Sequence, residues 1–379
     1  MSKMVIAQIL PALEIGGVER GTIEIASALQ KEGVENYVIS NGGRMVPELE
    51  RLGVEHITLP VHSKNPFRMY INARKIAKIA KEKGFTLMHV RSRAPAWAVK
   101  WASKMTKIPF MTTFHGVYGI KPAIKKYYNI VMTQGVRMIA ISNHVKNQVL
   151  RDYQMDESKI RLVYRGADTT KFNPALISQD QIADLMMQYH IPTDKPIIML
   201  QGRLTHWKGQ LSMIEALTKM THKEITVLFI GHHQGRMDYY NELNEKIKAL
   251  PKETTVLTFA LTGKEMPTVL ALSDIAVSAS LKPEPFGRAM PEAQAMGKIV
   301  VAFNHGGAAE TVKDGETGFL VPPCDTDALA KKLDEILDMP LDERKTIGQN
   351  AIRSVHENFS VQTMQDQTLS VYKEIHSCL

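Results

Sequence analysis

The chain has 379 residues, more than one hydrophobic core usually serves, so about two domains are expected. It is 44% hydrophobic and 23% charged, an ordinary globular composition, and no apolar run approaches the ~20 residues of a bilayer-crossing helix. The net charge of +8 is uneven: residues 1–170 hold 26 Lys and Arg against 13 Asp and Glu, a balance of +13, while 21 against 26 leave residues 171–379 at −5.

The elements follow in chain order. "MVIAQIL" reads as a first strand and not as a signal peptide, because only Lys3 precedes it and no cleavage site follows. "VERGTIEIASALQKEG" reads as a helix closed by Gly33, "NYVISN" as a strand, and "NPFRMYINARKIAKIAKEKG" as a helix with apolar positions at Ile71, Ile76 and Ile79. "TLMHVRS", "PFMTTFHG" and "MIAIS" are further strands, "HVKNQVLRDY" a helix, and "RLVYRGADTTKFNP" a strand running into the turn that ends the first domain. The pattern then restarts with strands "PIIMLQG", "ITVLFIG", "TTVLTFA", "DIAVSAS", "KIVVAF" and "GFLVPP", separated by helical stretches such as "QLSMIEALTKM" and "YYNELNEKIKAL". This alternation predicts an α/β protein of two doubly wound parallel-sheet domains, over 1–170 and 171–358, with a last helix over 359–379. Ligands bind such sheets beyond the carboxyl ends of the strands, so a cleft between the domains is the expected place for chemistry.

Four stretches carry candidate chemistry. In "KPEPFGRAMPEAQAMG" (282–297), Pro291 is tolerated only in a first helical turn, which places a helix start near Gly287 or Arg288. The N–H groups of Phe286, Gly287 and Arg288 then form an anion-attracting helix mouth, flanked by the carboxylates of Glu284 and Glu292. "LQGRLTHWKGQ" (200–210) sets Gly202, Arg203 and Lys208 at a strand end, two cations suited to phosphate oxygens, without the pattern of a Walker loop. "LPALEIGGVERG" opens a helix with Gly16 and Gly17, where backbone can face a phosphate or sugar, and His115 in "TTFHGVYG" stands just past a strand end. "DTD" (325–327) is expected to cap a helix, and His232 and His233 to be solvated, so no metal site is expected. The two cysteines, Cys324 and Cys378, offer neither a disulfide framework nor a metal spacing, which fits a reducing cytoplasm.

Taken in order, "GGVER", "FHG", "ISNHV", "YRGADTTKF", "GRLTHWKG", "EPFGRAMPEAQAMG", "GGAAETVKDGETGFLVPP" and the late "ENFS" helix resemble family 4 (GT4) of the retaining GT-B glycosyltransferases, over nearly the whole chain. The resemblance implies two Rossmann-like domains with an interdomain cleft and a C-terminal helix crossing back onto the first. It implies that Arg203 and Lys208 hold the donor's diphosphate, Glu292 the ribose and Glu284 the donor sugar. Phe286, Gly287 and Arg288 would offer backbone to phosphate or sugar, Gly16 and Gly17 would close over the phosphates, and His115 would contact the transferred sugar. Catalysis would fall to His115, Arg203, Lys208 and Glu284, with a nucleotide sugar as substrate and no cofactor or obligatory metal. Three departures stand out: Arg165-Gly166-Ala167-Asp168 where relatives usually have Asn-Gly-x-Asp, "GHHQG" in place of Gly-Asp-Gly, and Phe259-Ala260-Leu261 in place of F-x-G. The last leaves the base open near Leu261, with UDP placed ahead of GDP or ADP.

In this family the first domain binds the acceptor. Its basic residues Arg91, Arg93, Lys121, Lys125 and Lys126, beside Trp97, Tyr127 and Tyr128, suggest an anionic membrane surface and a lipid-linked or lipopolysaccharide-core acceptor. The place implied is the inner face of a bacterial plasma membrane, as a peripheral cytoplasmic enzyme. Nucleic acid is not expected, since no stacking platform or known module accompanies the charge. A non-catalytic sugar-nucleotide-binding subunit, a GT-B epimerase and a soluble-disaccharide synthase stay as alternatives, and the oligomeric state is not indicated.

Overall fold

The computed structural model describes residues 3–192, 194–261 and 263–378. The chain forms two compact units, one running to Arg165 and taking back the segment from Met364 on, the other spanning Gly166–Thr363.

In the first unit the elements are β1 (Val5–Ile9), α1 (Gly17–Lys31), β2 (Glu35–Ser40), α2 (Val46–Arg51), β3 (Glu55–Thr58), α3 (Pro66–Glu82), β4 (Leu87–Val90), α4 (Arg93–Thr106), β5 (Phe110–Phe114), α5 (Ala123–Asn129), β6 (Met138–Ala140), α6 (Asn143–Tyr153) and β7 (Ile160–Leu162). The strands make one parallel sheet in the order β3-β2-β1-β4-β5-β6-β7. All five residues of β1 are buried, as a strand covered on both faces requires. Its one polar residue, Gln8, is satisfied internally: Nε2 donates to Thr22 O at 3.2 Å and Oε1 accepts from Arg91. Helix α3 starts where its sequence says it should. Pro66 occupies the first turn, and Asn65 Oδ1 accepts from the N–H groups of Phe67 and Arg68 at 2.9 and 3.2 Å, a cap worth about 1 kcal/mol.

The second unit runs α7 (Gln179–Tyr189), β8 (Ile197–Gln201), α8 (Gln210–Lys219), β9 (Thr226–Ile230), α9 (Met237–Lys248), β10 (Thr255–Phe259), α10 (Met266–Leu272), β11 (Ile275–Ser278), α11 (Ala289–Ala295), β12 (Ile299–Phe303), α12 (Ala308–Thr311), β13 (Phe319–Val321), α13 (Thr326–Asp338) and α14 (Leu341–Asn358). Its parallel sheet has the order β10-β9-β8-β11-β12-β13. Ile198, Leu200, Phe229, Val277 and Val301 fill its core, each such burial contributing roughly 2 kcal/mol. Both sheets are therefore of the Rossmann-like doubly wound kind.

The last helix, α15 (Val361–Ser377), joins the first unit from Met364 onward. Tyr372 is fully buried there and hydrogen-bonds His89 Nδ1 at 2.6 Å, while Glu374 accepts from Arg137 at 2.7 Å and Arg161 at 2.8 Å. The divisions fall at Arg165/Gly166 and Thr363/Met364, not at the expected 170/171 and 358/359. The reason is local: Ala167 N donates to Phe359 O at 2.8 Å and Val361 N to Ala167 O at 2.9 Å, which ties both crossing segments into the second unit. The outermost residues of the expected segments, 1, 2 and 379, lie outside the described residues.

Candidate active site

In each sheet the strand order reverses at one place, between β1 and β4 in the first unit and between β8 and β11 in the second. Helices leaving such a strand pair go to opposite faces, so the loops part and leave a crevice at the carboxyl ends. Gly16 and Gly17 follow β1, and Arg91 and Arg93 follow β4; Gly202, Arg203 and Lys208 follow β8, and Glu284, Phe286, Gly287, Arg288 and Glu292 follow β11. Residues chosen as separate motifs thus share two switch points, one in each unit.

The second unit's switch point is a polar network. Lys208 Nζ donates to Glu284 Oε1 at 2.6 Å, and these side chains are only 14% and 16% exposed. Ser280 Oγ donates to the same Glu284 oxygen, and His305 Nε2 donates to Ser280 O at 2.7 Å. Lys208 also lies 4.6 Å above the Trp207 ring. The loop carrying Glu284 is held from below: Gly307 N donates to Glu284 O at 2.8 Å, and a Cβ at Gly307 would overlap Phe286 backbone, so only glycine fits there. Glu292, nearly buried, accepts from Gln201 Nε2 at 3.3 Å and stands 3.5 Å from Arg288 Nε. Arg203 is exposed, and its carbonyl accepts from Gln210. Helix α11 begins at Ala289 with Pro291 in its first turn, close to the expected start, but the Phe286 side chain is buried. Leu261 follows β10, near Phe259, whose ring stacks on Tyr189 at 4.3 Å. Sequence reasoning missed Gln201, Ser280 and His305; the signal was their position at strand ends.

In the first unit, Gly16 is the N-cap of α1 with extended backbone and no side-chain cap. His115 follows β5 with Nε2 turned inward, buried beside a small cavity that Arg91, Thr113 and Arg165 also line. Burial first, then the nearby charges of Arg165 and Arg91, hold His115 well below the usual histidine range, so its ring is neutral at pH 7. Arg91 corrects an expectation: it is 3% exposed and donates to Gln8, so it is an internal cation and cannot meet a membrane. Arg93 is half-buried, donating to Asn129 Oδ1 at 3.1 Å and lying 4.0 Å from the Tyr118 ring centre. It lines a depression of about 540 Å³ with His62, Lys64, Lys125 and Tyr128, and no carboxylate borders it. Lys121, Lys125 and Lys126 are exposed. Rings connect these elements from α3 to α5: Tyr70 to Trp101 at 6.3 Å, Trp101 to Trp97 at 6.1 Å, Trp97 to Tyr127 at 5.6 Å. Phe67, Ile124 and Tyr127 are 73%, 73% and 68% exposed. Residues 83–151 hold 12 Lys and Arg and not one Asp or Glu, a signal that a half-chain charge count does not reveal.

Asp325 caps α13 by accepting from Ala328 N at 2.9 Å, and His232 and His233 accept from the N–H groups of Gln234 and Gly235. Among the described residues no cluster of His, Cys, Asp and Glu could hold a metal ion, and no helix is long and apolar enough to cross a membrane. Cys324 and Cys378 are free and exposed.

Two family models match in tandem, "Glycosyltransferase Family 4" over residues 15–171 and "Glycosyl transferases group 1" over 181–354. A crystal structure of a glycosyltransferase from Rickettsia africae shares 40% identity, covers 99% of both chains and superposes with a TM-score of 0.93. The chain belongs to the glycosyltransferases. This enzyme is of the GT-B, family 4 type, which draws its sugar from nucleotide-activated donors. Its fold also matches the Anabaena protein Alr3699/HepE, solved with UDP and glucose, at 23% identity, over 98% of this chain and 100% of that one, with a TM-score of 0.85. The N-acetyl-alpha-D-glucosaminyl L-malate synthase of Bacillus anthracis is 23% identical over 95% of this chain and 94% of its own length.

Proposed function

We propose that this glycosyltransferase moves a hexose from a UDP-sugar to a lipid-linked or lipopolysaccharide-core acceptor, with retention at the anomeric carbon. The observation that carries the donor half is the convergence of Lys208, Glu284, Arg203, Gln201 and Glu292 on one switch point. The diphosphate takes the place of Glu284 as partner of Lys208, with Arg203 as the second cation. Glu284 is thereby released to accept hydrogen bonds from the donor sugar, and Glu292 takes the ribose hydroxyls. Backbone at Phe286, Gly287 and Arg288, and the Gly16–Gly17 turn, face phosphate or sugar; His115 meets the transferred sugar, and the base lies near Leu261.

In the reaction the bond from the anomeric carbon to the diphosphate oxygen breaks, leaving positive character on the sugar and negative charge on the leaving group. An acceptor hydroxyl forms the new bond on the same face, and its proton passes to the leaving phosphate. Preorganised cations stabilise the departing charge, each such group contributing roughly 3 kcal/mol. No step calls for a metal.

The acceptor half rests on the first unit. Exposed rings interleaved with lysines, on a stretch without carboxylates, suit the interface of an anionic membrane, where aromatic bodies insert and cations meet headgroups. The enzyme would work there as a peripheral protein of the cytoplasmic face. The test is a hydrolysis and transfer screen against UDP-, GDP- and ADP-sugars, with and without anionic vesicles carrying lipid-linked acceptors. UDP-sugar turnover stimulated by the vesicles supports the reading. Transfer only to a soluble acceptor, or turnover only with another nucleotide, overturns the corresponding half.

A further inference from the structure

The departure at Arg165 has a physical partner. Arg165 is 6% exposed, and Nη2 donates to Gly17 O at 2.6 Å, reaching across 148 residues of sequence. Its guanidinium also stands 3.7 Å from the Glu24 carboxylate. Glu24 is itself anchored, since Gln365 Nε2 donates to Glu24 O at 2.7 Å. The guanidinium lies against α1 at Gly21, where a Cβ would overlap it. Gly17 O is in the first turn of α1, and the turn before it has Gly16 as N-cap with no side-chain cap. Glycines let a ligand approach closely but do not hold their own conformation, so such a turn must take its rigidity from elsewhere. A planar fork of N–H donors is suited to supply it.

We propose that Arg165 is a positioning residue that fixes the Gly16–Gly17 turn for substrate phosphate, and that Gly21 is the matched residue that makes room for it. The inference rests on the assignment of Gly16 and Gly17 to the donor's phosphates. Arg165 touches no substrate; it acts through the Gly17 carbonyl.

The test is titration of UDP into the full-length enzyme by calorimetry, with thermal melting alongside. Arg165→Met should weaken UDP roughly tenfold, the loss expected for one charge-assisted hydrogen bond. Arg165→Lys, which keeps the charge beside Glu24 without the fork, should weaken UDP by a smaller factor and serves if the methionine variant does not fold. Gly21→Ala alone should lower the melting temperature, because its methyl meets the guanidinium. Adding Arg165→Met to Gly21→Ala should recover the melting temperature and leave UDP weak. A purely packing role for Arg165 predicts that the double variant recovers both, and that result overturns the proposal. So does wild-type affinity in folded Arg165→Met and Arg165→Lys proteins while UDP binding to the parent still depends on Lys208; the functional reading then survives. A parent enzyme that binds no UDP overturns both.

Discussion

The two units handle positive charge in opposite ways. The second is net acidic, with a balance of −5 over residues 171–379, yet Lys208 is placed individually, against Glu284, Trp207 and Gly202. The first carries +13 over residues 1–170, and Lys64, Arg93, Lys121, Lys125 and Lys126 have no carboxylate partner among the described residues. Short-range placement suits one defined diphosphate, because nearly buried charges are screened little by salt. An open array suits an extended anionic surface, and its attraction falls steeply as salt rises. On the proposed function, the charge asymmetry of the chain would be a division of labour between a site and a surface.

The largest effect should come from the placed cation. Lys208→Ala is expected to lower kcat by about 10²–10³, a loss that changes little with ionic strength. Initial rates at low and high salt check this, and near-normal turnover removes Lys208 from its role. Reversing the open array is the converse experiment. Lys121→Glu, Lys125→Glu and Lys126→Glu together should weaken binding to anionic vesicles by about 10²-fold or more, at roughly 1 kcal/mol for each lysine lost. Vesicle sedimentation across a salt series reads it, and retention that ignores both salt and these changes contradicts a surface role. A smaller effect is expected of Glu292→Gln, which should raise the donor KM about tenfold and touch kcat less, since a ribose contact is made equally in ground and transition states.

The smallest effect concerns stability. His89 and His115 are both held well below the ordinary histidine value of about 6.5, chiefly by burial and then by neighbouring cations. Their depressed folded-state values mean that the unfolded chain takes up protons first, so stability is complete above about pH 6.5 and falls as pH drops below it. Unfolding free energies from urea titrations at pH 7.5 and 5.5 should differ by about 1 kcal/mol for each group, and a His89→Gln variant should lose its own share of that difference while the His115 share stays. An unchanged slope would remove His89 as a contributor.

The fold was largely legible, because strands covered on both faces must be apolar runs and the helices between them must be amphipathic. What escaped were elements without that signature. β3 is a half-exposed edge strand, and α4 opens with Ser92-Arg93-Ala94-Pro95, which reads as a loop until Pro95 is seen in a first turn. α14 was also missed, a mostly polar helix lying against α11. At the site, strand-end cations and carboxylates could be picked from residue type and position. The Lys208–Glu284 pair could not, since it joins residues 76 apart through tertiary packing. Arg91 was misread for a related reason: counting charges cannot separate an arginine on the surface from one bonded to a buried glutamine. Arg165 was visible only as a departure from pattern, and its meaning lay in a glycine 144 positions earlier, at Gly21.

Whether the β8–β11 switch point grips a nucleotide diphosphate is decided by a crystal structure with UDP bound. Phosphate oxygens are expected on Lys208 Nζ and the Arg203 guanidinium, ribose hydroxyls on Glu292, and Glu284 released from Lys208. UDP seated elsewhere, with the Lys208–Glu284 bond intact, would contradict that expectation.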